Sequence, residues 1–169
     1  MSNLASDSYA AQLKQLHDKS ESFGVGNVTA KHYPIIKNLI QKKNFGSVLD
    51  YGCGKGHFIE YVKTNLPGMR VEGFDVASDE YSVMPKDTFD MVVCLDVMEH
   101  VEFGAMSHVL SEIRERTGKV FICSVANYPA GRMAPSATLR LQRNIVELNG
   151  SRDGGEIAKF IEQMPIMDS

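Results

Sequence analysis

The residues best suited to chemistry begin with Asp50-Tyr51-Gly52-Cys53-Gly54-Lys55-Gly56, a glycine cluster set where a short apolar run gives way to helical spacing. Glycine at such a turn lets the backbone approach a ligand with no Cβ in the way, and the following helix offers unpaired N–H groups. In an open α/β sheet that turn lies at the carboxyl edge of the strands, where ligands bind. A dinucleotide fingerprint needs glycine at its first, third and sixth positions; counted from Gly52 the sixth is His57, and Gly56 comes one residue early. The spacing therefore disfavours NAD or FAD, whose pyrophosphate rests on the helix N-terminus. Asp75 stands 19 positions beyond Gly56, at the end of the next short apolar run. A carboxylate there can accept hydrogen bonds from both hydroxyls of a ribose. Together the loop and the acid point to a nucleoside-containing ligand; a tight turn beside two solvated aspartates is the blander alternative.

Other reactive side chains are less well placed. Cys53 lies inside the glycine loop, but no base flanks it, and a small buried cysteine is common. Cys94 and Cys123 fall within apolar runs, where thiols pack inertly. Three widely spaced cysteines make neither a paired disulfide framework nor a CxxC metal motif, so reduced thiols are expected. His17, His32, His57 and His108 have no partner at metal-ligand spacing, and the nine scattered methionines read as core or pocket filler. No metal is expected.

The elements that must position the loop follow from periodicity. Tyr9 to Asp18 carries a helical stripe; Ser20 to Val28 reads as a loop with an aromatic handle at Phe23. The run from Thr29 predicts a second helix with Ile35, Ile36, Leu39 and Ile40 on one side and Pro34 near its start. Val48 and Leu49 begin a buried strand, and Phe58, Ile59 and Val62 mark the helix after the glycines, ended by Pro67 and Gly68. MRVEGFDV supplies the next strand, closing one βαβ unit at Asp75. Phe89 to Leu95 is apolar almost throughout, as a strand covered on both faces should be, and belongs at the sheet centre. Phe103 to Arg116 predicts a helix with Met106, Val109, Leu110 and Ile113 inward and Gly118 as its cap, followed by the strand KVFICSV. Beyond Tyr128 the pattern weakens: PAGRMAPSA is loop-like, TLRLQRNIVEL fits strand or helix, and GGEIAKFIEQM has a helical stripe. Alternating strands and helices define an open, mainly parallel α/β sheet.

At 169 residues one domain is expected across the chain, with residues 1–44 as a helical cover, 45–127 as the ligand-binding core and 128–169 ill defined. Apolar residues at 43 % and charged residues at 23 % are globular proportions, and a net charge of -3 disfavours nucleic acid as a partner. With no secretory leader pattern at Met1 to Ala10 and no apolar run of spanning length, a soluble cytoplasmic protein without membrane contact is expected.

DYGCGKG, GFD and FDMVVCLDVMEHV, over residues 45–127, resemble the successive motifs of class I methyltransferases that use S-adenosylmethionine (SAM). The resemblance implies a Rossmann-like fold and SAM as cofactor, with S-adenosylhomocysteine as product. It implies that Gly52, Gly54 and Gly56, with Cys53 among them, line the methionine part of SAM, that Asp50 helps hold its amino group, and that Asp75 binds the ribose with Val76 beside it. Leu95 and Asp96 would lie beside the methionine moiety and the transferable methyl, with Glu99 and His100 opening the next helix. The N-terminal YAAQLKQLH and SFG elements resemble the segment that folds over SAM in such enzymes.

Methyl transfer from a sulfonium needs chiefly in-line positioning. Where the acceptor must lose a proton, His100, Asp96 and Tyr128 are the candidates. The first reading is an enzyme acting on a small-molecule acceptor selected by the N-terminal cover, residues 127–137 and the C-terminal tail. The alternatives are a non-catalytic SAM-binding subunit or sensor and, more weakly, a nicotinamide oxidoreductase.

Only Val76 to Thr88 lie between Asp75 and Phe89, too few for the helix, third strand and second connection of the full fold. The segment should run irregularly, with the third strand very short or missing. Transfer of the family's adenine-contacting acid to Asp79 is then in doubt, with Val83 and Met84 expected to touch the adenine face instead. The second strand becomes a sheet edge needing cover from the N-terminal segment or a homodimer contact.

Overall fold

The computed structural model describes residues 30–101 and 103–124, with Gln15 and the pair Leu148–Asn149. The expected helix over Tyr9–Asp18, apart from Gln15, and the expected helix GGEIAKFIEQM lie outside the described residues. Strands β1 (Ser47–Tyr51), β2 (Arg70–Phe74), β3 (Phe89–Leu95) and β4 (Thr117–Ser124) run parallel, and β5 (Leu148–Asn149) is antiparallel to β4. The order is β2-β1-β3-β4-β5, with β3 at the centre as its apolar run requires. Leu148 ends the ambiguous TLRLQRNIVEL and is extended there, so the antiparallel edge is represented by two residues.

Helices α1 (Tyr33–Lys43), α2 (His57–Asn65) and α3 (Met106–Arg116) cover the sheet. The two-residue period of the strands divides the core. Val48, Met91, Val93 and Ile122 meet Tyr33, Ile36 and Ile40 of α1 and Phe58 and Val62 of α2. On the other face Leu49, Val92, Cys94 and Phe121 meet Val109 and Ile113 of α3. Each buried aliphatic side chain contributes about 1.5–3 kcal/mol, so this division holds α2, and the loop at its start, against the sheet.

Three details differ from the sequence reading. In α1 the inward stripe is Tyr33, Ile36 and Ile40, while Ile35 is 57 % exposed. In α3 Leu110 is 44 % exposed, and the helix begins at Met106 after a 3₁₀ turn over Phe103–Ala105. Gly118 is no helix cap: Thr117 leads straight into β4, and the register slips by one residue where Phe89 faces Thr117 but Met91 faces Val120. A Cβ on Gly118 would lie 2.9 Å from Phe89 O, so the bulge leaves no room for a side chain.

Residues 76–88 contain neither helix nor strand, and β2 is the sheet edge, as the length of this connection requires. The segment is braced instead. Asp75 N–H donates to Tyr81 O at 2.9 Å, Arg116 Nε donates to Pro85 O at 2.7 Å, and Arg70 bridges Asp87 at 2.6 Å. What covers β2 from the N-terminal segment or a second copy lies outside the described residues.

Candidate functional site

The site forms where β1 and β3 end side by side. Beyond Tyr51 the chain turns back on β2: Phe74 O accepts from Gly52 N–H at 2.7 Å and Cys53 N–H at 3.2 Å. Gly52 has φ +78°, and a Cβ there would strike the isopropyl group of Val97, so only glycine fits this close approach. Gly56 N–H closes the turn on Cys53 O at 2.9 Å and starts α2.

Asp75 ties the two connections together. Its Oδ2 accepts from Gly54 N–H and its Oδ1 from Ala77 N–H, both at 2.8 Å. These bonds fix the carboxylate at the strand end, and each oxygen keeps a second lone pair for a ligand hydroxyl. The sequence pairing of glycine loop and Asp75 is thus a direct contact.

Asp50 is different. The residue is 4 % exposed, and its carboxyl group has no hydrogen bond or ion pair among the described residues. Burial first, then the neighbouring Asp75 charge, push its pKa up to about 8. A buried carboxyl without a partner is costly unless something else compensates it. Cys53 is also buried, and desolvation followed by the Asp50 and Asp75 charges raises its thiol well above the usual range, which removes the thiolate a nucleophile needs.

At the end of β3, Leu95 is half-buried against the α1–α2 side of the core. Asp96 has φ +54°, an uncommon conformation for a residue other than glycine. Ser124 of β4 holds it there: Asp96 N–H donates to Ser124 O at 2.9 Å, and Ser124 Oγ donates to Asp96 Oδ1 at 2.8 Å. Glu99 and His100 do not open α3. They lie in a separate 3₁₀ turn, Met98–His100, closed by His100 N–H on Val97 O at 2.9 Å. Burial lowers the His100 pKa against the raising effect of Asp96, so its imidazole is neutral near pH 7.

The structure brings Asp50, the glycine loop and Asp75 together, with Val97 tying the loop to the β3 end. Val76 and Met84 are half-buried against the α3-side core, whereas Val83 is 80 % exposed. Tyr128 lies outside the described residues. Tyr81, Val97 and Ser124 were absent from the sequence reading. Tyr81, in the short connection after β2, lays its ring against Gly56 and Gly73.

The methyltransferase domain family matches residues 29–153. An uncharacterized protein of Methanocaldococcus jannaschii is 28 % identical over 103 residues, 54 % of this chain; the match spans 45 % of that protein, under half its length. Among solved structures, the N-methyltransferase NodS of Bradyrhizobium japonicum, in complex with S-adenosyl-L-homocysteine, superposes with a TM-score of 0.51 at 14 % identity, over 70 % of this chain and 73 % of that one. An amino pentose methyltransferase from Micromonospora echinaspora, solved with SAM bound, gives 0.46 at 20 % identity, over 76 % and 60 %. The fold is the Rossmann-like fold of class I SAM-dependent methyltransferases. The chain belongs to the methyltransferase domain family.

Proposed function

We propose that this chain transfers a methyl group from SAM to a small-molecule acceptor. The observation that carries the reading is Asp50, a buried carboxyl at the mouth of the glycine loop that meets no partner among the described residues. A ligand ammonium supplies the missing counter-charge, and SAM carries one on its methionine end. The residues present fit such a group. Asp50 would hold the amino end, the backbone of Gly52 to Gly56 would line the methionine chain, and Asp75, with Val76 beside it, would accept from the ribose hydroxyls. Leu95 and Met84 would add apolar surface, Met84 toward the adenine.

When bound, SAM supplies an electrophilic methyl on a sulfonium. The chain's own part is positioning: Asp96, fixed by Ser124, holds the wall beside that methyl, and His100, whose pKa burial lowers, would take a proton from an acceptor that must lose one. NodS is a methyltransferase in complex with the demethylated product, which agrees with this assignment. Incubation with methyl-labelled SAM and a panel of amine, hydroxyl and thiol acceptors tests it. Label transfer with formation of S-adenosylhomocysteine is expected. Binding of SAM without turnover on any acceptor would instead favour a binding subunit or sensor.

A further inference from the structure

Among the described residues, no strand takes the third-strand berth beside β2. Along β2, Arg70 N–H donates to Gly46 O and Phe74 O accepts from Gly52 N–H, so Arg70, Glu72 and Phe74 turn their backbone groups toward β1. Alternation turns Val71, Gly73 and Asp75 outward. Asp75 N–H meets Tyr81 O at 2.9 Å, but the N–H and C=O groups of Val71 and Gly73 meet no partner among the described residues. They floor a groove of about 300 Å³, walled by Ile59 and Lys63 of α2 and by Glu80, Val83 and Pro85 of the braced segment. Unpaired edge groups are a template for another strand.

The charge chooses the occupant. A second copy would bring the same net-negative rim against itself, which disfavours it. A single extended chain meets no such obstacle. At the rim Lys63 is paired with Glu60 at 2.7 Å and Arg70 with Glu72 and Asp87, while Glu80 adds a further carboxylate and the exposed Lys86 a further cation, so these groups together remain net negative. We propose that this groove binds an extended basic peptide segment, which pairs with Val71 and Gly73 and completes the sheet as its third strand. The exposed Val83 and the side chains of Ile59 and Val71 receive the side chains that alternate with the basic ones.

The proposal is independent of the cofactor assignment and is tested without SAM. The probe is a fluorescein-labelled octapeptide of alternating lysine and valine, read by anisotropy, with the backbone amides followed by NMR. Binding is expected, with the amide signals of Val71 and Gly73 moving most. N-methylation of every second residue in one parity should weaken it at least tenfold, and in the other parity hardly at all, because only alternate N–H groups of an added strand face the edge. Replacing lysine by glutamate should also cost at least tenfold. Val71→Pro removes an outward donor without breaking the β1–β2 ladder and should abolish binding. Equal loss in both parities, equal binding of the glutamate peptide, or unmoved Val71 and Gly73 amides would overturn the proposal. So would a wild-type dimer that Val71→Pro dissociates in the absence of any peptide binding, which would assign the edge to a second copy.

Discussion

The connections after β1 and after β2 leave the same sheet edge and solve opposite problems. The first turns within a few residues, stabilised by glycine conformations and by backbone bonds to Phe74 O, and keeps beside it a buried acid that is unpaired among the described residues. The second must reach β3 in 13 residues without a strand, from Val76 to Thr88, and is held by side-chain and carbonyl braces at Tyr81, Pro85 and Asp87. The first corner, the proposed ligand site, leaves no room for a side chain at Gly52. The other is built to span a gap, and its exposed braces should be individually dispensable.

That contrast is sharpest at Gly52. Gly52→Val adds a β-branched side chain at φ +78° against Val97, a combined strain and overpacking cost of about 1–3 kcal/mol or more. SAM binding should be lost altogether, with a lowered midpoint in thermal unfolding. Wild-type affinity in this variant would dissolve the distinction between the two corners.

Asp75→Ala should come next. It frees the buried Gly54 and Ala77 N–H groups and removes the ribose acceptor, weakening SAM binding by about 1.5–3 kcal/mol in calorimetry and destabilising the protein as well. Equal affinity would remove the ribose assignment.

Asp50 gives a smaller effect with an unusual sign. Its folded pKa, about 8, lies above the unfolded carboxyl value, so the folded state retains a proton that the unfolded chain has released. Stability of the ligand-free protein therefore falls as pH rises from about 4 to about 8 and levels off above that. Asp50→Asn should flatten this slope and raise the unfolding midpoint near pH 7, while weakening S-adenosylhomocysteine. A midpoint lowered by this substitution at pH 7 would mean that the carboxyl is compensated after all.

The smallest effect belongs to the second connection. Arg70→Ala removes ion pairs that are largely exposed, worth about 0.2–1 kcal/mol, and should leave SAM affinity unchanged. A tenfold loss of affinity would show that the braced segment sets the geometry of the ligand corner.

How much of this was legible in the sequence depended on whether the signal was local. Gly52, Gly54 and Gly56 could be placed because strand, turn and helix each leave a short-range pattern. The missing third strand followed from counting residues. Ile35 and Leu110 were misassigned because each neighbours the true stripe, and only packing on the sheet decides between adjacent helix positions. Gly118 was read as a cap because glycine after a helix usually is one; the slipped β3–β4 register that requires it joins residues 28 apart at Phe89 and Thr117 and 29 apart at Met91 and Val120. Val97 over Gly52, Ser124 on Asp96 and Tyr81 on Gly73 are contacts between separate elements and leave no periodic trace.

The central claim is that the buried corner of Asp50, the glycine loop and Asp75 is a SAM site. Titration calorimetry with S-adenosylhomocysteine tests it most directly, run on the wild type and on Asp50→Asn between pH 6 and pH 8. The account predicts a dissociation constant of micromolar order that tightens with pH as Asp50 ionises against the ligand ammonium, and a weaker, flatter response in the variant. No measurable heat with either S-adenosylhomocysteine or SAM, together with an unchanged unfolding midpoint in their presence, would contradict it.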